Sequence, residues 1–307
     1  MIHTLTVNPA LDITYRIAKL QLDDSARASA VYRAPGGKGI NVSRVAARLS
    51  HPTVAMGFMG GRAGDEIMEM LHAEGVRTWF SELETDTRTN VIVQDDSNKQ
   101  LRITAKGYEV SKEDIHNLIE SIFDLRQPDF LVLSGSLAEG MPKDFYAQLI
   151  QKASAEGIKT VTDADGEALK AAIKAGCALI KPNQYELSRL VGRELKTLSE
   201  AHQAALEALE MGVSVVVASL GAEGAMYVSK DAALFARAPK VKVDSAVGAG
   251  DSLLAGVLVA LAERHSPEEA LRLGVACGSA TAMTPGTELC YKETIDALYD
   301  EVGLEPL

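Results

Sequence analysis

The chain has 307 residues, a length that can bury the core of one large domain or of one domain with a small addition. Hydrophobic residues make up 47% and charged residues 24% of it, which is the mixture of an ordinary globular protein. Its formal net charge of -11 excludes non-specific binding to nucleic acid or to an anionic membrane surface, because both require basic faces.

The N-terminal residues lack the charged start and the long apolar stretch of a signal peptide, and no apolar run has the length of a membrane span. The three cysteines are widely spaced and form no CxxC motif, which favours reduced, buried thiols over a metal or redox site. We therefore expect a cytoplasmic protein without a nucleic-acid or membrane partner.

Patterns typical of buried strands and of amphipathic helices alternate along most of the chain. Apolar runs predict strands over 53–58, 130–134, 158–163, 178–181 and 213–219. Helical periodicity predicts helices over 41–49, 65–72, 112–123, 143–155, 167–175, 184–191, 199–211 and 252–263. This alternation predicts an α/β fold with a mainly parallel sheet that is covered by helices on both faces.

Two regions depart from this alternation. Residues 12–32 and 89–104 contain stretches of period two without an intervening helical pattern. We predict that they form antiparallel strands of a small lid over the ligand edge of the sheet, with lid segments at about 12–34 and 88–105. No repeat or long linker is visible, so residues 1–307 are expected to form a single domain.

Several loops with polar or glycine residues directly follow predicted strands. They are Ser134-Gly135-Ser136, Asp163, Lys181-Pro182-Asn183 and Ser219-Leu220-Gly221. In parallel α/β sheets, ligands bind outside the carboxyl ends of the strands. We therefore expect these residues to lie at one edge of the sheet, near a ligand.

The segment from Val247 to Leu254 carries the most functional information. Gly248 and Gly250 allow a ligand to approach the backbone closely, and the start of the apolar helix that follows favours negative charge. Asp251 would repel a phosphate unless it acted on a neighbouring hydroxyl, which suggests a general base for phosphoryl transfer. The alternative is that Asp251 caps the helix, and these residues alone leave both interpretations open.

A second glycine-rich element, Pro35 to Asn41, also leads into a predicted helix. It is not a P-loop, because Gly39 follows Lys38 where Ser or Thr is needed. Three glycines around a lysine suit a sugar or phosphate that touches the backbone. The alternative is a tight turn with a solvated lysine.

Asn183 and Glu186 are three residues apart at the start of the predicted helix 184–191. Their oxygens could hold the waters of Mg²⁺ from one face of the first turn, whereas a variant of the capping box explains the same spacing without a ligand. Asp12 could bind sugar hydroxyls and Arg88 could clamp a substrate phosphate, and the alternative for each is a surface turn residue. The six histidines are scattered, which argues against zinc and hydrolase chemistry.

Taken in order, six motifs of the chain resemble those of the PfkB, or ribokinase-like, family of sugar kinases. The motifs are Asn8-Pro9-Ala10-Leu11-Asp12, Gly36-Gly37-Lys38-Gly39-Ile40-Asn41, Ser134-Gly135-Ser136-Leu137, Lys181-Pro182-Asn183-x-x-Glu186, Ser219-Leu220-Gly221-x-x-Gly224 and Gly248-Ala249-Gly250-Asp251. Their order and spacing cover essentially the whole chain. Within the family, the chain is most similar to the phosphoketohexose branch, which contains tagatose-6-phosphate kinases and 1-phosphofructokinases.

This resemblance implies a ribokinase-like three-layer α/β/α sandwich whose β-sheet lid is often the interface of a homodimer. It also implies ATP and Mg²⁺ as cofactors. Asp251 would be the base, the N–H groups of Ala249, Gly250 and Asp251 would hold the transferring phosphoryl group, and Gly248 belongs to the same catalytic motif.

The resemblance further implies three sets of ligand contacts. Asn183 and Glu186 would organise the metal through water. The implied nucleotide-binding residues are Lys181, Asn183, Ser219, Gly221, Gly224 and Ser279. The implied contacts with the sugar phosphate are Asp12, Gly37, Lys38, Asn41, Arg88 and Ser136, and Arg27 or Lys106 would add charge at the phosphate end.

The expected reaction is the ATP-dependent phosphorylation of a ketohexose monophosphate. The resemblance favours tagatose 6-phosphate or fructose 1-phosphate as the substrate. The alternatives are a fructose 6-phosphate kinase, a kinase of a neutral sugar or nucleoside, and a non-catalytic sugar-phosphate sensor. The intact Gly248-Ala249-Gly250-Asp251 motif argues against a sensor, because a sensor does not need the base.

Overall fold

A ten-stranded sheet runs through the centre of the molecule. The computed structural model describes residues 1–21, 24–97, 99–125 and 127–307. The strands of this sheet are β1 (Ile2–Thr6), β4 (Thr53–Met59), β5 (Arg77–Glu82), β8 (Phe130–Ser134), β9 (Lys159–Asp163), β10 (Leu179–Ile180), β11 (Val215–Ser219), β12 (Gly224–Ser229), β13 (Ala233–Arg237) and β14 (Gly303–Pro306). Their spatial order is β14-β13-β12-β11-β10-β9-β8-β1-β4-β5.

The seven strands β11, β10, β9, β8, β1, β4 and β5 are parallel to one another. Beyond β11, the strands β12, β13 and β14 each pair antiparallel with the strand before. Central strands such as β1 and β8 are buried along their whole length. Burial on both faces explains why most of these strands are continuous apolar runs in the sequence.

Helices cover both faces of the sheet. Their bounds are α1 (Lys38–Arg48), α2 (Gly61–Ala73), α3 (Lys112–Phe123), α4 (Phe145–Ala155), α5 (Gly166–Lys174), α6 (Gln184–Val191), α7 (Leu198–Glu210), α8 (Ala249–Ala262), α9 (Pro267–Ala282) and α10 (Lys292–Tyr299). One core contains the apolar sides of α3, α4, α5 and α7, and a second contains those of α1, α8, α9 and α10. Two cores separated by one sheet define a three-layer α/β/α sandwich.

A separate four-stranded sheet contains β2 (Ala10–Ile17), β3 (Ala30–Gly36), β6 (Arg88–Asp95) and β7 (Gln100–Ile103), in the order β3-β2-β6-β7. It packs on α1 and α2 through a third apolar cluster that includes Leu11, Ile13, Ile40 and Ile67. Because β2 begins four residues after β1 ends, the small sheet starts at the carboxyl edge of the large one.

The fold class expected from the sequence is confirmed, and the predicted helices and parallel strands are present with ends shifted by a few residues. The prediction of purely antiparallel strands in the small sheet is wrong, because β2 pairs with β6 in parallel. These two strands are not hairpin neighbours: the chain passes through β3, α1, β4, α2 and β5 between them. Within the described residues of the small sheet, β2 pairs antiparallel with β3, and β6 pairs antiparallel with β7.

No helix in the described parts of the chain is both long and apolar enough to cross a membrane.

Candidate active site

The carboxyl ends of the parallel strands meet the starts of α1 and α8 at one edge of the large sheet. The loops expected at this edge follow β8, β9, β10 and β11, as the strand order requires. Three contacts join residues from different elements. Lys38 and Lys181 each form an ion pair with Asp163, and Asn41 donates a hydrogen bond to Asp251. These five side chains form the centre of the site.

The glycine loop before α1 is pressed against the end of β1. Gly37 has φ 134°, and a Cβ on it would lie 2.7 Å from Thr6 Cγ2, so a side chain does not fit there. Thr6 Oγ1 accepts a hydrogen bond from the backbone N–H of Ile40 at 3.1 Å. The loop therefore holds Lys38 and Asn41 in the first turn of α1, facing the sheet edge.

Helix α8 begins without a side-chain cap. Its N-cap residue is Gly248, in the left-handed conformation with φ 78°, and Asp251 is the third helical residue. The interpretation of Asp251 as the cap is therefore wrong. An uncapped helix start leaves backbone N–H groups available to an anion.

Asp251 is buried, and among the residues that the structure describes it makes no ion pair. Its side chain accepts a hydrogen bond from Asn41 Nδ2 at 2.8 Å, and only 8% of the residue is exposed. Burial raises the pKa of Asp251 to about 6, and the negative charge of Asp163 adds to this effect; Lys181, Asn41 and Lys38 offset it only in part. A carboxylate with this pKa can take up a proton near neutral pH.

Asp163, which the sequence analysis placed at the ligand edge without a role, lies at the centre of the site. Its side chain is fully buried at the end of β9, with Lys38 Nζ at 2.8 Å and Lys181 Nζ at 3.2 Å. Burial opposes its ionisation, but the charges of Lys181 and Lys38 outweigh burial and lower the pKa of Asp163. Its position directly after an apolar strand predicted the ligand edge, but no sequence pattern predicted its two lysine partners.

The neighbouring Asp165 has a structural role. Its side chain accepts a hydrogen bond from the N–H of Gly166 as the cap of α5 and pairs with Arg189 at 2.6 Å.

Lys38 lies among carboxylates. Besides Asp163, Glu186 Oε1 is 3.8 Å from Lys38 Nζ. Burial opposes the charge of Lys38, but Asp163 and Glu186 outweigh burial and raise its pKa, so the ammonium group is retained. This neighbourhood differs from that of Arg88, with which the sequence interpretation grouped Lys38.

Asn183 and Glu186 form a complete capping box on α6. Asn183 Oδ1 accepts from the N–H of Glu186, and Glu186 Oε2 accepts from the N–H of Asn183, both at 2.8 Å. The box occupies only one oxygen of Glu186. Within the described parts of the chain, Oε1 makes no hydrogen bond and faces Lys38, so capping and a role towards a ligand are compatible.

Asp12, Arg88 and Ser136 surround the loop after β1. Asp12 is largely buried and accepts a hydrogen bond from Asn90 Nδ2 at 2.8 Å, and burial raises its pKa. Arg88 donates to the carbonyl oxygens of Asn8, Pro9 and Ala105 at 3.0, 3.3 and 3.0 Å.

Those three bonds hold the start of β2 and the segment after β7 together. Asn8 Nδ2 also donates to Ser136 Oγ at 3.3 Å. Lys106 is 81% exposed and pairs with Glu139 at 2.8 Å, and Arg27 is exposed.

The glycines after β11 form a turn beside α6. Ser219 and Asn183 form a parallel bridge, and a 3-10 turn over Gly221–Glu223 leads into β12. Gly224 has φ 126°, which strongly favours glycine. Ser279 lies in α9, whose Gly278 packs against the first turn of α8: a Cβ on Gly278 would lie 3.1 Å from the carbonyl oxygen of Ala249.

Comparison with known proteins identifies the class. Residues 6–294 match the model of the pfkB family carbohydrate kinases. The chain belongs to this family and is an ATP-dependent sugar kinase. Kinases of the family use ATP and a divalent metal.

Individual relatives lie in the phosphofructokinase part of the family. The chain is 36% identical to the 1-phosphofructokinase of Bacillus subtilis (strain 168) over 307 residues, which covers 100% of both chains. It is 37% identical over 301 residues to the ATP-dependent 6-phosphofructokinase isozyme 2 of Escherichia coli (strain K12), which covers 97% of both. The phosphofructokinase-2 of Escherichia coli in complex with substrates and products has a similar structure, with a TM-score of 0.93, 36% identity and 98% of each chain covered. That protein also has a tetrameric inhibited form.

The burial of Asp251 predicts a measurable cost in stability. Its pKa rises from 3.8 to about 6 on folding, so the folded state binds this proton more tightly and loses stability as pH rises between those values. Asp251→Asn keeps the shape and an acceptor oxygen for Asn41. We expect it to raise the free energy of unfolding by on the order of 3 kcal/mol at pH 8, with the gain disappearing near pH 4. Urea unfolding at both pH values measures this; a variant less stable than the parent at pH 8 contradicts the buried-charge account.

Proposed function

We propose that the protein transfers the terminal phosphoryl group of ATP to a hydroxyl of a ketohexose monophosphate. The observation that carries this proposal is Asp251, a buried carboxylate with a pKa of about 6 in the first turn of the uncapped helix α8. A proton acceptor and an anion-binding backbone in one turn supply the two functions that phosphoryl transfer requires of the protein.

In this mechanism, Asp251 takes the proton from the acceptor hydroxyl as that oxygen attacks phosphorus. The bond between the attacking oxygen and phosphorus forms, the bond to the leaving oxygen of ADP breaks, and the proton remains on Asp251. The N–H groups of Ala249, Gly250 and Asp251, next to Gly248, hold the transferring group. Asn41 keeps the carboxylate of Asp251 oriented through its hydrogen bond at 2.8 Å.

Lys38 and Lys181 bring positive charge to the same place. Both are held by Asp163, at 2.8 and 3.2 Å, and a Cβ on Gly250 would lie 3.2 Å from Lys181 Nζ. We therefore assign Lys181 to the nucleotide phosphates, including the one that is transferred, and Lys38 to the sugar phosphate on the other side of the same carboxylate. Fixed cations stabilise the charge of the transition state without having to reorganise.

Mg²⁺ is the divalent metal that we propose. In the described residues no group of three or more His, Cys, Asp or Glu side chains could hold a metal directly. Mg²⁺ in nucleotide sites instead keeps several waters and uses few carboxylates together with the phosphates. The Glu186 Oε1 atom and Asn183, at the start of α6, fit a water-mediated contact of this kind. When bound, the ion neutralises charge on the nucleotide phosphates.

The remaining contacts divide between two substrates. For the nucleotide we propose the turn after β11 and the last turn of α9, that is Ser219, Gly221, Gly224 and Ser279. For the sugar we propose Asp12, Gly37, Asn41 and Ser136, whose polar groups surround the loop after β1. Arg88 and Lys106 supply cations beyond it, because Arg88 donates to the carbonyl oxygen of Ala105, the residue before Lys106.

Fructose 1-phosphate and fructose 6-phosphate are the substrates in the names of the two relatives, and tagatose 6-phosphate is favoured by the sequence motifs. All three are ketohexose monophosphates, and the cations around the substrate loop match that class. We propose that residues 1–307 form one kinase domain whose small sheet is the lid. The cytoplasm, which supplies ATP and keeps the three free cysteines reduced, is the proposed compartment.

A panel of acceptors tests the reaction. ADP formation is measured with fructose 1-phosphate, fructose 6-phosphate, tagatose 6-phosphate, fructose, ribose and adenosine, and kcat/KM is compared. We expect a ketohexose monophosphate to exceed every neutral acceptor, and Asp251→Asn to lower kcat for it roughly 10²–10⁴-fold. A neutral sugar as the best acceptor, or near-normal turnover by the variant, contradicts the proposal.

The phosphate end of the sugar site is tested by Lys106→Met and Arg88→Lys. Loss of a charge-assisted contact in Lys106→Met is expected to raise KM for the best phosphosugar about tenfold and to leave KM for its unphosphorylated analogue nearly unchanged. Arg88→Lys is expected to raise both KM values, because one ammonium group cannot replace three bonds to backbone carbonyls. Equal KM changes for the two acceptors in Lys106→Met would remove Lys106 from the phosphate site.

We also propose a homodimer through the exposed part of the apolar face of the lid. The register places Val31, Tyr15, Val93 and Leu101 in one row across the sheet, and Val91 and Ile103 in the next. Ile13, in that second row, is buried against α1 and α2, so the exposed part of this face lies beyond it. Val31, Leu101 and Ile103 are 50%, 40% and 56% exposed. An apolar patch of this kind marks an interface, and a second copy offers the same apolar strip in a two-fold arrangement.

Sedimentation equilibrium tests the dimer. The parent protein is expected to be dimeric at micromolar concentration, and Leu101→Asp to be monomeric, because the charge would be buried in the interface. Met211→Asp, at an equally exposed apolar residue on the end of α7, is the matched control and should remain dimeric. A monomeric parent protein, or a dimeric Leu101→Asp, contradicts the lid interface.

A further inference from the structure

Four charged side chains form a cluster at the C-terminal half of α1, away from the ligand edge. They are Arg44, Arg48, Glu74 and Glu288. Arg44 is 1% exposed and binds Glu74 through two nitrogens, at 2.7 and 3.0 Å. Arg48 Nη2 lies 2.7 Å from Glu288 Oε1 and 3.4 Å from Glu74 Oε2. Two positive and two negative charges therefore balance.

Stability alone is a weak reason for such a cluster, because the cost of removing charges from water often equals what the pairs contribute. The cluster also binds backbone carbonyl groups, which suggests that it fixes the position of the backbone. Arg48 Nη1 donates to the carbonyl oxygens of Leu289 and Cys290 at 2.7 and 3.1 Å. Arg48 thus fixes the backbone at Leu289 while the same guanidinium binds the carboxylate of Glu288.

Leu289 transmits this position to the start of α8. The Leu289 side chain is fully buried, and its Cδ2 atom lies 2.6 Å from the place that a Cβ on Gly248 would occupy. Leu289 is therefore packed directly against the N-cap residue of α8. Interiors are close-packed, so a displacement of Leu289 changes the position of Gly248.

One helix connects this contact with the base. Asn41, which binds Asp251, and Arg48 are seven residues apart in α1, so they lie on the same face about 10 Å apart. The face that orients the carboxylate of Asp251 also holds the residue that packs on Gly248.

We propose that Arg48 is a positioning residue that acts through Leu289 to set the anion-binding start of α8 relative to Asp251. This inference rests on the proposed phosphoryl transfer for its kinetic consequence, but not for its structural one. The fork of the guanidinium reaches a carboxylate and two carbonyl oxygens together, and the single ammonium of a lysine cannot do so.

The kinetic test uses Arg48→Lys, Leu289→Ala and the double variant. Arg48→Lys keeps the charge and is expected to lower kcat roughly tenfold, the scale of a small misplacement in the site, with KM for both substrates changed less than about twofold. Leu289→Ala should lower kcat similarly. Because both act by one route, the double variant should be little worse than either single variant. The proposal is overturned if the decrease in kcat of the double variant equals the product of the two single decreases, or if kcat is unchanged in Arg48→Lys.

Hydrogen exchange provides a second test of the role of Arg48, and it needs no substrate. Amide hydrogen exchange of the peptide containing Gly248 to Asp251 is expected to become faster in Arg48→Lys. Arg193→Lys, which alters an exposed two-bond pair with Glu207 at 2.6 and 2.7 Å, is the matched control and should leave this peptide unchanged. Unchanged exchange in Arg48→Lys overturns the role of Arg48. If the parent protein phosphorylates no ketohexose monophosphate, the proposed function fails separately, and hydrogen exchange still decides the structural claim.

Discussion

The site depends on two buried carboxylates that lie near each other, Asp163 and Asp251. Lys38 and Lys181 both form ion pairs with Asp163 and not with Asp251. Asp163 binds both Lys38 and Lys181, and these charges lower its pKa in spite of complete burial. Asp251 receives a neutral amide instead, so burial and the charge of Asp163 raise its pKa to about 6. Two acids of the same type thus acquire different properties: Asp163 stays ionised between two lysines, and Asp251 has the raised pKa that the proposed base requires.

The fold supplies this arrangement through a few backbone constraints. Asp163 ends a parallel strand, and Asn41 and Asp251 lie in the first turns of helices that start at the same edge. Gly37 and Gly248 begin these two helices with positive φ values, at places where Thr6 and Leu289 leave no room for a Cβ. Small changes at either glycine would move Asn41 and Asp251 relative to each other.

Sequence patterns located most of the architecture because hydrophobic periodicity and turn residues act locally. They identified the glycine-led segment before α8 as an anion site, although they could not decide whether Asp251 was a cap. They left β1 and the antiparallel strands β12 to β14 unassigned, and they gave the wrong direction for the pairing of β2 with β6. The pairing of Lys38 with Asp163 and the carbonyl contacts of Arg88 join segments more than 75 residues apart in most cases, and one sequence contains no signal for such contacts.

The central claim is that Asp251 is the base because its environment raises its pKa. The most direct measurement is the pH dependence of kcat/KM for the best phosphosugar, in the parent protein and in Asn41→Ala. A base must be deprotonated to act, so activity should fall as pH drops through about 6. The hydrogen bond from Asn41 favours the charged form of Asp251. Its loss in Asn41→Ala should therefore raise the pKa of Asp251 and shift the decrease in activity to higher pH. Activity that stays constant down to about pH 4.5, or a decrease that occurs at the same pH in Asn41→Ala as in the parent protein, would contradict the account.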